Sequence, residues 1–315
     1  MTSSSKKKYS GIASALIRIG VTASMLFFIL RSIDAGEALT TFKQAQPDLL
    51  LASLLMQFGS TAVAAYRWQL LMHNLDFGQP LRFYWNSYFK GMFFNQALPT
   101  SIGGDAVRVL DVARRGFRKR DAFYGVAIDR LAGLGALISL AFMAYVLNPS
   151  LLPQEAYQPI LILTAASLVG LLCISLPRRM AWLDRYPKLV FIKLISVKTH
   201  QAFAKERFQL LVSSLLVPLF AMLGFFASGK ALGLPFDLMT YFAIVPPALM
   251  LTVIPISIAG WGVREGALVG LFSLIGANKS AVLMMSLLYG LMLIIVSLPG
   301  LIVFMRGRHP QHKPG

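Results

Sequence analysis

The residue types best suited to chemistry occur in two stretches with the same order, Pro-x-Ser-Ile-x-Gly-x-x-Val-Arg, at Pro99–Arg108 and Pro255–Arg264. The arginine of each stretch is close to an acid, which is Asp105 within the first stretch and Glu265 directly after the second. A guanidinium can bind a phosphate through two parallel hydrogen bonds, and the free N–H groups at a helix N-terminus also attract anions. The stretches therefore predict an anion-binding site. The alternative is that each arginine pairs only with its local acid and backbone.

Both stretches are expected to interrupt a helix. Proline removes an N–H donor and disfavours helix at the preceding residue, so Pro99 and Pro255 should each end one helical arm before a second begins. Ser101 and Ser257 are placed to cap the second arm. An arm over 83–97 would rise about 22 Å, which passes the middle of a bilayer core about 30 Å thick. The interrupted backbone is thus predicted to lie deep in the membrane, inside protein or beside a water-filled cavity.

The composition is that of a membrane protein. The chain of 315 residues is 56% hydrophobic and 14% charged, against roughly 45–50% and about 25% in a soluble domain. The formal charge of +17 would suggest nucleic-acid binding in a soluble protein, but the bases lie in connecting segments, so no nucleic-acid partner is expected. Cys173 is the only cysteine, which excludes a disulfide framework and a thiolate metal site.

Hydropathy predicts an all-α polytopic membrane protein, with one membrane domain over residues 1–315, six full spans and two re-entrant helical hairpins. The hairpins are the apolar regions about 80–113 and 239–276, which contain proline and glycine at their middle. The first apolar run is longer than a signal-peptide core and lacks a cleavage pattern, so it is predicted to be a retained span. The six spans are predicted near 11–31, 49–72, 121–147, 158–176, 207–232 and 280–305.

The distribution of positive charge sets the predicted orientation. With the N-terminus in the cytoplasm, most of the 30 lysines and arginines fall on the cytoplasmic side, as the positive-inside rule requires. Both termini are then cytoplasmic, and the two hairpins are opposed, with 80–113 entering from the cytoplasm and 239–276 from the exterior. The halves 11–148 and 158–305 would form an inverted repeat, the recurrent plan of secondary transporters that bind substrate near the bilayer midplane.

Further charged residues fall within the predicted spans and hairpin arms. Asp129 and Arg130 are adjacent in the third span, so they cannot share one helical face and should reach different partners. They would either complete the cavity lining or snorkel to the membrane interface. Arg67, beside Trp68, is predicted to be an interface anchor. Lys90 lies among aromatic residues, a pattern typical of a packed membrane face.

The connection over 177–207 combines basic and apolar residues and is predicted to lie on the cytoplasmic membrane surface. Two partners remain open for this segment. It would contact anionic lipid headgroups or dock a cytoplasmic enzyme through residues 178–207.

Motifs for hydrolysis or ATP-driven transport are missing from the sequence. There is no Walker loop, dinucleotide fingerprint, His-Glu-x-x-His or nucleophile elbow, and the four histidines fall in predicted loops or the C-terminal tail. No metal site, cofactor or catalytic residue is therefore expected. A transferase that uses Asp105 or Glu265 as a base remains an alternative.

The sequences FNQALPTSIGGD at Phe94–Asp105 and GWGVREG at Gly260–Gly266 resemble the lysylphosphatidylglycerol synthase transmembrane-region family, also described as flippase-like. The resemblance extends over nearly the whole chain. In bifunctional members such a membrane portion, held to translocate the lipid, is linked to a soluble domain that aminoacylates phosphatidylglycerol. The matching positions are Asn95, Pro99, Ser101, Gly103, Gly104, Asp105, Arg108, Gly260, Gly262, Arg264, Glu265 and Gly266.

Only ten residues follow the last predicted span, so the resemblance implies a stand-alone flippase-like protein of a prokaryotic inner membrane, without aminoacyl transfer activity. The expected function is movement of an anionic phospholipid or lipid-linked precursor between leaflets, with Arg108 and Arg264 holding its phosphate at the hairpin tips. The alternatives are a non-transporting membrane scaffold for an envelope-modifying enzyme and a membrane-embedded transferase. Homo-oligomerisation is a further expectation.

Besides the helix-breaking Pro99 and Pro255, the residues expected to bind substrate are Asn95, Ser101, Gly103, Gly104, Asp105, Arg108, Asp129, Arg130, Ser257, Gly260, Trp261, Arg264 and Glu265.

Overall fold

The computed structural model describes residues 20, 23–24, 27, 31, 35–98, 103–173, 187–253 and 257–306. Within these ranges the regular structure is helical throughout. The helices are α1 (Ala35–Lys43), α2 (Pro47–Asn74), α3 (Leu81–Ala97), α4 (Gly103–Ala113), α5 (Lys119–Leu147), α6 (Gln154–Cys173), α7 (Pro187–Ala202), α8 (Arg207–Ala231), α9 (Leu238–Leu251), α10 (Val263–Ser273) and α11 (Lys279–Arg306), with a 3₁₀ turn at Pro149–Leu151.

Four helices, α2, α5, α8 and α11, are long and apolar enough to cross a membrane. Their ends lie within two residues of the ends of four predicted spans, because a long apolar run is a strong signal in a single sequence. The predicted span at 158–176 overlaps α6, whose apolar section Tyr157–Leu171 is shorter. The predicted first span, 11–31, lies largely outside the described residues.

The 80–113 region contains two antiparallel helices, α3 and α4, that pack against each other. The first ends where the N–H of Leu98 donates to the carbonyl of Phe94 at 3.0 Å. The helices come closest at two glycines, since a Cβ placed on Gly104 would overlap the carbonyl oxygen of Gly91. A side chain at either position would push the two helices apart, so the close packing of this pair requires glycine.

The 239–276 region contains a second antiparallel pair, α9 and α10, in which the rings of Tyr241 and Phe272 meet edge to face with centroids 5.5 Å apart. The interruption between the two helices is again rich in glycine. Gly260 and Gly262 have φ angles of +81° and +84°, a region that residues with a Cβ rarely adopt.

The prediction that Ser257 caps the returning arm of this second pair is wrong. The helix α10 begins several residues later, at Val263, with Gly262 in the N-cap position. The N–H of Gly262 donates to Oε2 of Glu265 at 2.6 Å. The acid one turn inside the helix therefore satisfies the helix N-terminus, a role that the sequence pattern had assigned to a serine.

The centre of the molecule is the antiparallel packing of α2 on α8. Small polar side chains hold the two helices together, because the hydroxyl of Ser53 lies 2.7 Å from both the Gly224 carbonyl oxygen and the Ser228 hydroxyl. Further along the pair, the hydroxyl of Ser60 donates to the carbonyl of Val217 at 2.9 Å. Such residues let helix backbones approach closely in a membrane and supply hydrogen bonds between helices.

The contacts of the first helical pair have counterparts in the second. The pair α3 and α4 lies beside α2 and α5, and α3 also packs on α11; the pair α9 and α10 lies beside α8 and α11, and α9 also packs on α5. Each short pair is therefore held by long helices from both halves of the chain. Tyr145 of α5 is an example of such a contact between the two halves, because its hydroxyl donates to the carbonyl of Ala243 in α9.

The basic segment predicted over 177–207 is partly described. Residues 177–186 lie outside the described chain, residues 187–202 form α7, and a short connection over 203–206 leads into α8. This helix packs on α5 through the ring of Phe191, whose centroid lies 5.8 Å from that of Tyr124. Its C-terminal end is attached to α2, since the amide of Asn74 donates to the carbonyl of Ala202 at 2.8 Å.

The close packing of α11 on α3 predicts the effect of Gly300→Ala. The added methyl group would meet the carbonyl oxygen of Phe89, and overpacking of this kind typically destabilises by about 1–3 kcal/mol. We expect a lower melting temperature in detergent, measured by intrinsic fluorescence. Gly270→Ala is the control, because its methyl group would enter open space. Equal melting temperatures for the two variants would contradict the packing described for α3 and α11.

The cap of α9 predicts a pH-dependent contribution to stability. The pKa of the Asp237 carboxyl lies below its ordinary value because the hydroxyl and the N–H of Thr240 donate to it at 2.6 and 3.0 Å. Asp237→Ala should therefore lower the free energy of unfolding by about 1 kcal/mol near neutral pH.

Because the folded-state pKa is depressed, this contribution is complete above the unfolded carboxyl value of about 3.9 and is lost as the pH falls through the folded-state value. Thermal melts of parent and variant should thus converge in acid. Asp237→Asn keeps an acceptor at the cap and should melt close to the parent at neutral pH. A gap between parent and Asp237→Ala that is unchanged in acid would exclude the ionised cap.

Candidate functional site

Five charged side chains from three helices form one connected network. Asp129 of α5 accepts from two arginines: Nε of Arg67 donates to Oδ1 at 2.9 Å, and Nη2 of Arg108 donates to Oδ2 at 2.7 Å. Asp105 of α4 accepts from Nε of Arg130 at 2.9 Å and from its Nη2 at 3.1 Å, and lies 3.4 Å from Nη1 of Arg108. The network thus runs from α2 through α5 to α4 and back to α5.

Local geometry explains why these side chains meet. Asp105 and Arg108 are three residues apart in α4, a spacing that places both on one helical face. Asp129 and Arg130 are neighbours in α5 and point in different directions, so the first reaches Arg67 and Arg108 while the second reaches Asp105. The adjacent acid and base therefore join two ends of the same network.

The network carries more positive than negative charge. It contains three arginines and two aspartates, and Arg67, Arg108 and Asp129 are only 3%, 3% and 1% exposed. A buried ion pair repays the loss of hydration only when its geometry is good and its other polar atoms are satisfied. Asp129 meets that condition with both oxygens. One guanidinium charge of the network has no carboxylate to balance it.

Aromatic rings hold the Arg108 guanidinium in place. Its central carbon lies 4.1 Å from the ring centroid of Trp68 and 4.5 Å from that of Tyr88. A guanidinium over an aromatic face is attracted by the ring quadrupole, and the attraction increases when water is excluded. Within this arrangement Nε of Arg108 is buried and lacks a hydrogen-bond partner, so the side chain keeps an unused donor.

A cavity of about 170 Å³ opens beside the network. Arg130 is its most accessible base, with a side chain 55% exposed. Ser60 and Val217, which are joined by a hydrogen bond, also line the cavity and lie near the middle of α2 and of α8. The cavity therefore adjoins the middle of both α2 and α8. Its lining comprises Ser60, Thr61, Ala64, Tyr88, Gly91, Met92, Asn95, Asp105, Arg108, Arg130 and Val217.

The second arginine motif forms a separate and balanced cluster. Arg264 donates through Nη2 to Oε1 of Glu265 at 2.6 Å and through Nε to the hydroxyl of Ser286 at 3.0 Å. That hydroxyl in turn donates to Oε1 of Glu265 at 2.9 Å. Arg264 and Glu265 are 3% and 0% exposed. This cluster has one base and one acid, and it matches the alternative in which each arginine pairs with its local acid.

The two clusters lie at different levels of the bundle. Gln57 of α2 donates to the carbonyl of Tyr289 at 3.4 Å, and the ring of Tyr289 lies 5.8 Å from the Arg264 guanidinium. Arg67, ten residues further along α2, marks the level of Arg108. Ten residues of helix correspond to a rise of about 15 Å. The structure therefore brings Arg108 together with Asp129 and Arg130, and it holds Arg264 elsewhere.

The other residues predicted to bind substrate are distributed between the two clusters. Asn95 lines the cavity and accepts from the Gly104 N–H through Oδ1 at 2.8 Å, and Gly103 packs against the side chain of Leu98. Trp261 and Gly260 lie beside the second cluster, and Ser257 is buried ahead of it. Pro99, Ser101 and Pro255 lie outside the described residues.

Sequence reasoning missed Arg67 as a site residue. An Arg-Trp pair near the end of a span is typical of an interface anchor, but Arg67 is 3% exposed and bound to Asp129. The available signal was its depth, because it lies about 10 Å before the end of α2 at the usual rise per residue. Among the described residues, no group of three or more histidine, cysteine or acidic side chains is placed to hold a metal ion.

Comparison with protein families identifies a match that covers most of the chain. A family described as "Lysylphosphatidylglycerol synthase TM region" matches residues 15–300, which include every described element of both clusters. None of the curated proteins with which the chain was compared matches it.

The bridging position of Asp129 predicts a large loss of stability in Asp129→Asn. The variant leaves Arg67 and Arg108 buried without their carboxylate, and removal of one partner of a buried ion pair typically costs about 3–5 kcal/mol. We expect a much lower melting temperature or no monodisperse protein in detergent. The double variant Asp129→Asn with Arg67→Met should recover part of the loss, because it removes the unpaired base as well.

Glu155→Gln, an exposed acid on α6, serves as the matched control and should melt like the parent. Melting of Asp129→Asn at the same temperature as Glu155→Gln would show that the bridge does not support the fold.

Proposed function

Because the chain belongs to the lysylphosphatidylglycerol synthase transmembrane-region family, we propose that it is a flippase-like transporter that moves an anionic lipid between membrane leaflets. The head-group phosphate binds in the cavity beside Arg108 and Arg130, while the acyl chains remain in the bilayer. The proposed setting is a prokaryotic inner membrane with both termini in the cytoplasm, the orientation favoured by the distribution of lysine and arginine.

The observation that carries this proposal is the unbalanced positive charge at the cavity. The network has three bases and two acids, so binding of one phosphodiester, which carries one negative charge, would make it neutral. Intramembrane charges are costly and usually mark a pathway or a ligand site. The half-exposed Arg130 and the unused Nε of Arg108 are the donors available to that phosphate.

The position of the cavity supports transport between leaflets. It lies near the middle of α2 and α8, both long enough to cross a membrane. A site beside the middle of these helices resembles the central site that some transporters expose alternately to each side of the membrane. A site for a surface enzyme would be expected nearer one end of these helices.

The paired contacts of the two helical hairpins support an inverted-repeat mechanism. Each hairpin packs against long helices from both halves of the chain, so a rocking motion of one half would move both hairpins together. In this mechanism the hairpin α3 and α4 carries the phosphate ligands, and the balanced Arg264–Glu265 cluster fixes the start of α10. The expectation that Arg264 also binds the phosphate stays a prediction from the sequence.

Asp105 has a defined role in the proposed cycle. In the structure it occupies the Arg130 guanidinium through two hydrogen bonds. An arriving phosphate competes for the same donors, and Asp105 takes them back when the lipid leaves. The acid therefore lowers the excess positive charge of the empty site from two to one.

The transferase alternative is less well supported by the geometry. A general base needs a free carboxylate oxygen within reach of the substrate. Both oxygens of Asp105 accept from Arg130, and the buried Glu265 accepts from Gly262, Arg264 and Ser286. These interactions favour a binding role for the cavity.

The proposal predicts that Arg130→Gln slows lipid movement by about tenfold or more, the effect of losing one charge-assisted hydrogen bond of about 1.5–3 kcal/mol. The measurement is dithionite bleaching of fluorescent phosphatidylglycerol in proteoliposomes. Arg130 is half-exposed, so the variant should still fold, which a thermal melt checks. Arg120→Gln removes an exposed charge near the start of the same helix and is the matched control.

Two outcomes would contradict the proposal. If the parent protein moves no fluorescent lipid, the scaffold alternative is preferred. If Arg130→Gln and Arg120→Gln both match the parent, the cavity is not the lipid site. A fluorescent glycolipid without phosphate distinguishes head-group recognition from general scrambling, since recognition of phosphate requires that the parent move it more slowly than phosphatidylglycerol.

A further inference from the structure

A second basic cavity lies on the other face of the hairpin formed by α3 and α4. It has a volume of about 470 Å³ and is bounded by the start of α3, the end of α4 and Val303 near the end of α11. Gly91 and Arg108 face the central cavity, whereas the neighbouring Lys90 and Asp111 line this one. The two cavities are therefore separated by the hairpin itself.

The charge of this peripheral cavity is strongly positive. Four bases, Arg82, Lys90, Arg114 and Arg115, line it together with one acid, Asp111. The acid is already engaged, because Nζ of Lys90 lies 2.5 Å from its Oδ2. Arg82, Arg114 and Arg115 are exposed at the cavity mouth. The Arg114 side chain is 78% exposed, and its Nη1 lies 4.0 Å from Oδ1 of Asp111. The arrangement attracts an anion at its mouth and offers a charged pair at its base.

A buried hydroxyl without a hydrogen-bond partner indicates a specific ligand site within this cavity. Ser87 lines the cavity and is 1% exposed, yet its Oγ has no hydrogen-bond partner. A buried hydroxyl without a partner costs free energy, and a ligand oxygen in the cavity would satisfy it. A phosphate oxygen accepts from serine and from arginine alike, so one ligand group would use both features of the cavity.

The cavity walls also offer apolar surface to the rest of a phosphate-bearing lipid. Phe83 and Val303 supply apolar surface, and the Arg115 guanidinium lies 5.2 Å from the ring centroid of Phe83. The cavity lies at the start of α3, the end of α4 and the end of the long helix α11. Basic pockets between helices at a membrane surface bind lipid head groups, and the same chemistry would accept a free phosphate monoester.

We propose that this peripheral cavity is a second phosphate-binding site, occupied by the head group of an anionic lipid. Arg82 and Arg114 attract the phosphate at the mouth, and Ser87 and Lys90 contact it inside. The site does not depend on transport through the central cavity. It concerns a ligand that stays bound at the periphery of the protein, and it shares no lining residue with the central cavity.

Native mass spectrometry of the full chain in detergent tests this proposal. The protein is titrated with short-chain phosphatidylglycerol in one arm and with glycerol 3-phosphate in the other. The double variant Arg82→Gln with Arg114→Gln is compared with Arg118→Gln with Arg120→Gln, which removes the same charge from exposed positions outside the cavity. We expect one lipid-binding event to weaken by about tenfold or more in the first pair only.

Ser87→Ala distinguishes specific binding inside the cavity from general attraction by surface charge. It leaves the net charge unchanged and should weaken the same binding event by about tenfold, the value of a hydrogen bond to a charged group. Tight binding of the lipid alone supports the head-group assignment. Equal affinity for glycerol 3-phosphate would overturn that assignment in favour of a free phosphate ligand.

Two further results would overturn the site itself. In the first, the two charge variants weaken binding equally, which indicates attraction by the whole basic surface. In the second, the cavity pair loses binding but Ser87→Ala retains it, which indicates that no ligand oxygen reaches the interior.

Discussion

The rest of the site depends on the ion pairs that the Asp129 carboxylate makes with two arginines. Asp129 is 1% exposed and binds two arginines that come from different helices, Arg67 of α2 and Arg108 of α4. In a low-dielectric interior neither guanidinium could be buried without such a partner. One acid thereby ties the hairpin formed by α3 and α4 to the long helices. The glycine contact between Gly91 and Gly104 then keeps Arg108 at a fixed depth.

The two arginine motifs are alike in sequence but differ in chemistry. In the alignment that pairs Arg108 with Arg264, the positions of Asp105, Asp129 and Arg130 correspond to Trp261, Met285 and Ser286. Ser286 still contacts the acid of its own hairpin, as Arg130 does. However, the second motif has no counterpart of the extra base or of the bridging acid. Only the first motif therefore carries an excess charge for a ligand.

The four long helices, and the division of two further apolar regions into pairs of short helices, could be predicted from sequence because apolar runs, prolines and glycines act locally. The partners of the charged residues could not be predicted in the same way. Arg67 has the sequence context of an interface anchor, and only the packing of α5 on α2 reveals its acid. Ser257 resembled a cap, but the positive φ of Gly262 moves the helix start to a position that Glu265 closes. The level of each arginine in the bundle likewise depends on tertiary contacts.

The balance of charge at the central cavity also limits how tightly it should hold a lipid. If Asp105 were absent, three arginines would face a single bridging acid, and a bound phosphate would be difficult to release from so positive a site. With Asp105 present, the phosphate must displace an existing ion pair, in which Arg130 donates two hydrogen bonds of 2.9 and 3.1 Å to Asp105. The net free energy of phosphate binding is smaller by the cost of breaking that pair. A transporter needs binding that is strong enough to admit its ligand and weak enough to release it. In the proposed cycle, competition between a fixed carboxylate and a mobile phosphate for the same guanidinium would satisfy both requirements.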